Sequence, residues 1–171
     1  MKTRSSLARF ALSLLVLILC AGSSQASEKQ ISGTISTTLT ITQDSKLVGD
    51  VTCTVVGGPC ITFGASDIKL RLNGFTMTGT NPGCTSATSF DDGIDVIQMN
   101  DATVLGPGLI QKFGGFGIFL AAESGATIRE ITVTDSCFSG IFLGQVTDSE
   151  IDGNTSVRNS IGSEGGPCGG T

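Results

Sequence analysis

The chain has 171 residues, 24 of them glycine, and it contains no tryptophan, tyrosine or histidine. This composition favours tight turns over long helices, and the lack of histidine removes the commonest general base and zinc ligand. All fifteen acidic residues but only seven of the ten basic residues lie beyond residue 26, so this part carries a formal charge of −8. Such a surface repels nucleic acid and anionic lipid unless the charges segregate.

The first 26 residues have the pattern of a secretory signal. A basic start precedes an apolar core at residues 10–19, and small residues at Ser24 and Ala26 suit cleavage after Ala26. The apolar core is shorter than the ~20 residues that cross a bilayer, so we expect export without an integral membrane segment after cleavage. A lipoprotein signal is the alternative, because residues 17–20 resemble a lipobox, although Leu19 is bulky where that motif has a small residue.

Apolar residues of short apolar segments recur along the chain in three series, mostly at intervals of 22 to 24 residues. The first series is Leu39, Ile61, Ile94, Ile118 and Ile141. The second is Leu47, Leu70, Val104, Ile128 and Ile151, and the third is Val51, Phe75, Leu109, Val133 and Val157. One longer step in each series spans a polar insertion at residues 81–90, which is typical of a surface loop.

Self-similarity of this length is typical of a solenoid, in which each repeat buries its apolar face against its neighbours. We therefore predict five coils whose short strands stack into three parallel sheets around an apolar interior. A leucine-rich repeat is the alternative, but its Leu-x-x-Leu-x-Leu-x-x-Asn frame does not recur at residues 104–112 or 128–136.

Three parts of the repeat region resemble a known family. They are residues 68–79, the Gly-Ile stretches that begin at Gly93, Gly117 and Gly140, and residues 151–155. Together they resemble secreted right-handed parallel β-helix proteins of the pectin-lyase-like superfamily, over about residues 31–160. The resemblance implies an all-β right-handed parallel β-helix solenoid at residues 27–160, with about five coils of 22–24 residues. It implies no single activity, because the fold hosts lyases, hydrolases, epimerases and adhesins.

The sequence is typical of a short or truncated member of that superfamily. Residues 161–171 are predicted to form a Gly-rich loop at an end without a visible cap. An uncapped solenoid presents unpaired backbone and open core, so we expect self-association through this end, or another chain covering it.

The first candidate site is the acidic stretch Asp91, Asp92 and Asp95. It resembles the Asn-Thr-Asp-Gly-Ile-Asp stretch of the polygalacturonase branch, where paired carboxyls hydrolyse glycosidic bonds. The matching positions of the next coil are Phe116 and Phe119, and the family's catalytic histidine is missing. Turn formation is therefore the alternative interpretation of Asp91 and Asp92.

The second candidate site is Asp148, Glu150 and Asp152, which alternation places on one strand face. Carboxylate oxygens suit Ca²⁺, and pectate-lyase relatives hold calcium on an outer strand face, where Arg129 would serve as the base. In the alternative, Arg129 pairs with Asp152 while Glu150 is solvated.

The third candidate is a ligand-binding surface of Phe119 and Phe142. Alternation directs both rings outward, stacked beneath Asp95 and Thr62, where an aromatic ladder beside an acid receives the apolar face of a sugar. Alternatively, a loop such as residues 81–92 covers both rings.

Five cysteines follow the signal, and four of them precede the first strand of a coil. These four allow the bonds Cys60–Cys84 and Cys137–Cys168, which leave Cys53 near the interior. A local Cys53–Cys60 bond is the alternative.

The sequence predicts a secreted scaffold or glycan-associated binding protein without a complete catalytic set. We expect a polysaccharide partner and no nucleic acid, and no cofactor unless Ca²⁺ binds. The alternatives are a fragment of a polysaccharide lyase or glycoside hydrolase, and a cell-surface structural protein or adhesin.

Overall fold

The structure is a computed structural model that describes residues 27–80, 84 and 90–160. This part of the chain contains strands and turns and no helix, and hence no helix that is long and apolar enough to cross a membrane. The predicted signal at residues 1–26 and the predicted loop at residues 161–171 lie outside the described residues. The strands are β1 (Lys29–Ile35), β2 (Leu39–Ile41), β3 (Ser45–Cys53), β4 (Ile61–Phe63), β5 (Lys69–Arg71), β6 (Thr76–Gly79), β7 (Ile94–Ile97), β8 (Thr103–Gln111), β9 (Ile118–Ala121), β10 (Thr127–Thr134), β11 (Ile141–Gly144), β12 (Glu150–Asp152) and β13 (Thr155–Val157).

The strands form two sheets in which every pair is parallel. Sheet 1 has the order β2-β4-β7-β9-β11. Sheet 2 has the order β1-β3-β5-β8-β10-β12, with β6 paired to β3 and β8, and β13 paired to β10. The chain alternates between the sheets, so each repeat adds one strand to sheet 1 and then one or two segments to sheet 2. This all-β, parallel arrangement is compatible with a β-solenoid.

The first apolar series is confirmed in sheet 1. Its members pair in register from strand to strand, in the order Leu39, Ile61, Ile94, Ile118 and Ile141. Ile61, Ile94 and Ile118 are fully buried, because alternation turns them toward the interior.

The second series is correct from Leu70 to Ile151 and wrong at its first member. Ser45, not Leu47, pairs with Leu70. Ser45 is fully buried, and its hydroxyl donates to the carbonyl of Gln43 at 2.9 Å. A small polar residue with its own hydrogen bond therefore fills an interior position that an apolar pattern cannot identify.

The third series is wrong in register, and the predicted third sheet is absent from the described part of the chain. Val51 pairs with Met77, and Met77 and Val133 both pair with Ile110, so Phe75 and Leu109 lie outside this column. The residues of the second and third series lie in sheet 2, because long strands such as β3, β8 and β10 contain members of both. A register shift in the pairing of β10 with β8 interrupts the inward–outward alternation of side chains between the two series.

Val157, the last member of the third series, is also out of register. Ser156 is the residue that pairs with Val133, and Val157 is 42% exposed. Two interior positions of the same repeat are exposed as well. Leu143 and Ile151 are 45% and 38% exposed, whereas Leu120 and Ile128, their partners in the preceding repeat, are at most 1% exposed.

The glycine that opens each Gly-Ile stretch is required by close stacking. A Cβ on Gly93 would collide with the carbonyl oxygen of Gly117, and a Cβ on Gly117 would collide with that of Gly140. Each glycine allows its backbone to approach the next repeat, which explains the recurrence of this residue.

Two disulfides join the repeats, and both predicted pairings are wrong. Cys60 bonds to Cys53, which is the local alternative, and Cys84 bonds to Cys137. Cys168 lies outside the described residues. Cys53 ends β3 and lies seven residues before Cys60, with 5.7 Å between their Cα atoms, a distance that suits a disulfide. The two disulfides indicate an oxidising, extracellular compartment.

Candidate functional site

The outer face of sheet 1 carries a short aromatic stack. Ile118 and Leu120 are fully buried, so alternation directs Phe119 outward, and Phe142 lies directly beside it in register. The two rings are parallel within 3°, with centroids 5.3 Å apart. Asp95 is the neighbour of Phe119 on the other side, as predicted.

Phe116 connects this stack to a fourth ring. Its centroid lies 5.0 Å from that of Phe142 and 5.3 Å from those of Phe119 and Phe138. We call Phe116, Phe119, Phe138 and Phe142 the aromatic cluster. Phe116 packs against both stacked rings. The alternative cover was the loop at residues 81–92, of which residues 81–83 and 85–89 lie outside the described residues. Phe142 remains 38% exposed and the other three rings are half-buried.

The geometry of the stack determines which ring surface is free. Phe119 and Phe142 turn their faces toward each other, so the stack presents its edges to the side. The far face of Phe142 has no parallel ring beyond it among the described residues. Phe142, at 38% exposure, is the most exposed ring of the cluster.

Asp92 and Asp95 form a buried carboxyl pair beside the cluster. They are 6% and 7% exposed, and the charge of Asp92 acts on the pKa of Asp95. Burial raises the pKa of Asp92 to about 6, while burial and the charge of Asp92 raise the pKa of Asp95 to about 8. Asp95 is therefore the protonated member of the pair near neutral pH.

The side chains of Asp91 and Asp92 accept backbone N–H groups that are distant in the sequence. Asp91 accepts the backbone N–H of Gly57 at 2.5 Å, and Asp92 accepts that of Phe116 at 2.5 Å. Oδ1 of Asp95 is buried without a hydrogen-bond partner among the described residues. Asp92 thus links the carboxyl pair to the central ring of the aromatic cluster.

A small cleft lies next to Asp92. It is lined by the Cys53–Cys60 disulfide, Gly79, Phe113 and both Asp91 and Asp92, among others, and its volume is about 10 Å³. That is room for a single water molecule and not for a sugar ring.

The acidic residues of β12 are arranged differently from the prediction. Asp148 lies in the turn before β12, with a φ of 52°, so it does not share a strand face with Glu150 and Asp152. Arg129 pairs with Glu150, although Asp152 is its neighbour in register. In the described part of the chain, no three acidic, cysteine or histidine side chains are grouped to hold a metal.

Glu123 is a buried acid that sequence reasoning missed. It lies two residues after β9, the position that Met99 and Val146 occupy after β7 and β11, and both of those pack against the core. Glu123 is 4% exposed, and neither carboxylate oxygen has a partner among the described residues. Burial, followed by the charge of Asp101, raises the pKa of Glu123 to about 7.

No protein family model matches the chain, and no curated protein or solved structure is significantly similar to it. Function must therefore be inferred from the residues of this chain. The outward features that bear on it are the aromatic cluster and the charged face of β10 and β12.

Proposed function

We propose that this protein is a secreted right-handed parallel β-helix of the pectin-lyase-like kind, and that it binds glycans through the aromatic cluster. Secretion is supported by the signal pattern of residues 1–26 and by the two disulfides. The β-helix is supported by the parallel sheets and by repeats of 22 to 24 residues.

One observation carries the glycan proposal, namely the aromatic cluster on the outer face of sheet 1. Its rings pack on each other outside the core, and Phe142 is 38% exposed. The apolar face of a pyranose ring packs well against the free face of a phenyl ring, which loses water from both surfaces. A surface cluster of aromatic rings is also unusual unless it contacts a ligand or partner.

The carboxyl pair supports binding over hydrolysis. Glycosidases separate their two carboxyls by about 5–9.5 Å so that a sugar, with or without water, fits between them. Asp92 and Asp95 are instead both buried, and the adjacent cleft of about 10 Å³ is too small for a sugar. Their role is therefore structural in this proposal.

Affinity electrophoresis in acidic and neutral polysaccharides tests the binding proposal. We expect at least one glycan to retard the protein, and Phe142→Ala to weaken that retardation about threefold to tenfold, which corresponds to ~0.5–1.5 kcal/mol per aromatic contact. Phe90→Ala is the matched control, because Phe90 is 69% exposed and makes no ring contact among the described residues. No retardation by any glycan, or equal retardation of both variants and the parent, would refute the proposal.

A polysaccharide lyase is the second candidate function. Glu150 and Asp152 lie on one outward face, and the guanidinium of Arg129 reaches Glu150 from the adjacent strand. This combines hard oxygen ligands with a basic group, as calcium-dependent elimination requires. Calcium-dependent absorbance of unsaturated uronate, lost in Asp152→Ala, would establish it, and its absence on all polyuronates would exclude it.

A further inference from the structure

We propose that Asp92 is a positioning residue for the aromatic cluster, and that the single proton of the Asp92–Asp95 pair makes the arrangement of the four rings depend on pH. This inference concerns regulation of the proposed glycan surface and rests on that proposal for its biological meaning. Its structural content concerns only the rings and the carboxyl pair.

The first step is the contact between Asp92 and Phe116. The backbone N–H of Phe116 donates to Oδ1 of Asp92 at 2.5 Å, across the boundary between two repeats. Phe116 in turn contacts the rings of Phe119, Phe138 and Phe142. No other ring of the cluster contacts all three of its companions, so the position of Phe116 determines the packing of the whole group.

The second step is the charge of the carboxyl pair. Asp92 and Asp95 are both buried, at 6% and 7% exposure, and the pair carries one negative charge while it is singly protonated. Asp91 is the other charged group that acts on the pair among the described residues, and it is also acidic. No described cation compensates a second charge. Loss of that proton therefore leaves two neighbouring buried carboxylates, which repel each other strongly in a poorly solvated site.

The backbone limits how this repulsion is relieved. The carbonyl of Asp92 accepts the N–H of Cys60 at 2.8 Å, and the carbonyl of Asp91 accepts that of Gly115 at 3.1 Å. With the main chain held on both sides, the carboxyl groups separate by rotation of their side chains. Rotation of Asp92 breaks its bond to the Phe116 N–H, while the Phe116 carbonyl still accepts the N–H of Gly93 at 2.9 Å. The central ring of the cluster therefore loses one of its two backbone hydrogen bonds as pH rises.

The aromatic content of the chain offers a direct readout. There is no tryptophan or tyrosine, so the aromatic fine structure of the near-ultraviolet circular dichroism comes from phenylalanine alone. The amide resonance of Phe116 reports the hydrogen bond to Asp92 separately. Both are recorded from about pH 5 to about pH 9, on either side of the titration of the pair.

Asp95→Asn is the decisive variant, because an asparagine amide carries no charge at any pH. We expect the Phe116 amide and the phenylalanine bands to titrate together in the parent and to stay constant in Asp95→Asn. Asp148→Asn is the matched control, since Asp148 is an exposed acid at a φ of 52°, which asparagine tolerates. This control should titrate like the parent.

The outcomes separate this inference from the glycan proposal. A Phe116 amide that does not titrate in the parent, or that titrates equally in Asp95→Asn, overturns the inference; the parent result alone decides if Asp95→Asn does not fold. With a bound glycan, retardation should weaken about threefold to tenfold at alkaline pH in the parent only. Titration without any glycan binding would uphold the positioning role and refute the glycan proposal, and binding with a constant Phe116 signal would do the reverse.

Discussion

Replacement of Glu123 by methionine should stabilise the protein, and more strongly at pH 8 than at pH 4. Methionine is the residue at the equivalent position of the preceding repeat, where it packs against the core. The folded state holds the Glu123 proton up to about pH 7, whereas an unfolded glutamate releases it near its ordinary value of 4.5. The folded state therefore binds the extra proton between these values, and the free energy of unfolding falls as pH rises through that window.

The magnitude follows from the shift in pKa. Raising the pKa from 4.5 to about 7 corresponds to a cost of about 3 kcal/mol above pH 7, at ~1.4 kcal/mol per unit. At pH 4 the neutral carboxyl is still buried without partners, which costs ~1–3 kcal/mol. We therefore expect Glu123→Met to gain ~1–3 kcal/mol at pH 4 and about 3 kcal/mol more at pH 8.

Urea unfolding followed by far-ultraviolet circular dichroism measures both values. The transition midpoint should rise while its slope with denaturant stays constant. Glu150→Met is the control, because Glu150 is exposed and its surface ion pair with Arg129 is worth at most ~1 kcal/mol. A Glu123→Met variant that is less stable than the parent, or that gains equally at both pH values, would refute the reasoning.

Three further predictions concern stability. Asp95→Asn should raise the free energy of unfolding at pH 9 by at least ~1.4 kcal/mol, because burial raises the pKa of Asp95 to about 8. The variant should also lose part of the decrease in unfolding free energy that the parent shows as pH rises, and equal pH profiles of variant and parent would contradict this. Gly117→Ala should cost ~1–3 kcal/mol in thermal unfolding, since its Cβ would collide with Val133, and an unchanged midpoint would show that the stack can expand. Replacing Cys84 and Cys137 by serine should cost ~2–4 kcal/mol in the free energy of unfolding, because their bond closes a segment with a sequence separation of 53. Reduction of the parent, which also opens Cys53–Cys60, should cost at least as much, and a smaller loss on reduction would contradict this.

Part of the fold could be predicted because alternation is a local property of a strand. The five members of the first series pair in register, and Phe119 and Phe142 stack beside Asp95 as expected. The register predicted for the third series was wrong because a bulge inserts an extra residue into a strand, and the apolar pattern does not reveal it. A fixed repeat interval predicts that Phe75 and Leu109 are the paired interior residues, whereas Met77 and Ile110 form that pair.

The candidate site could be predicted only in part. Phe119 and Phe142 lie within strands, so the two-residue alternation predicts that they point outward. Phe116 lies two residues before β9, in a connection between strands, where alternation predicts no side-chain direction. Glu123 looks like an ordinary loop acid, and only the apolar residues at the equivalent turn positions of neighbouring repeats reveal that its position is interior.

The sequence by itself determined the repeat length, the parallel stacking of the first series and the outward direction of the phenylalanine stack. These follow from the spacing of apolar residues along one strand and from its recurrence in the next. Tertiary structure alone decided that Cys53 joins Cys60, that Asp92 and Asp95 are both buried, and that Phe116 joins the other rings. Each of these contacts depends on the path of a turn, and the direction in which a turn projects its side chains is determined by the repeats packed on either side of it.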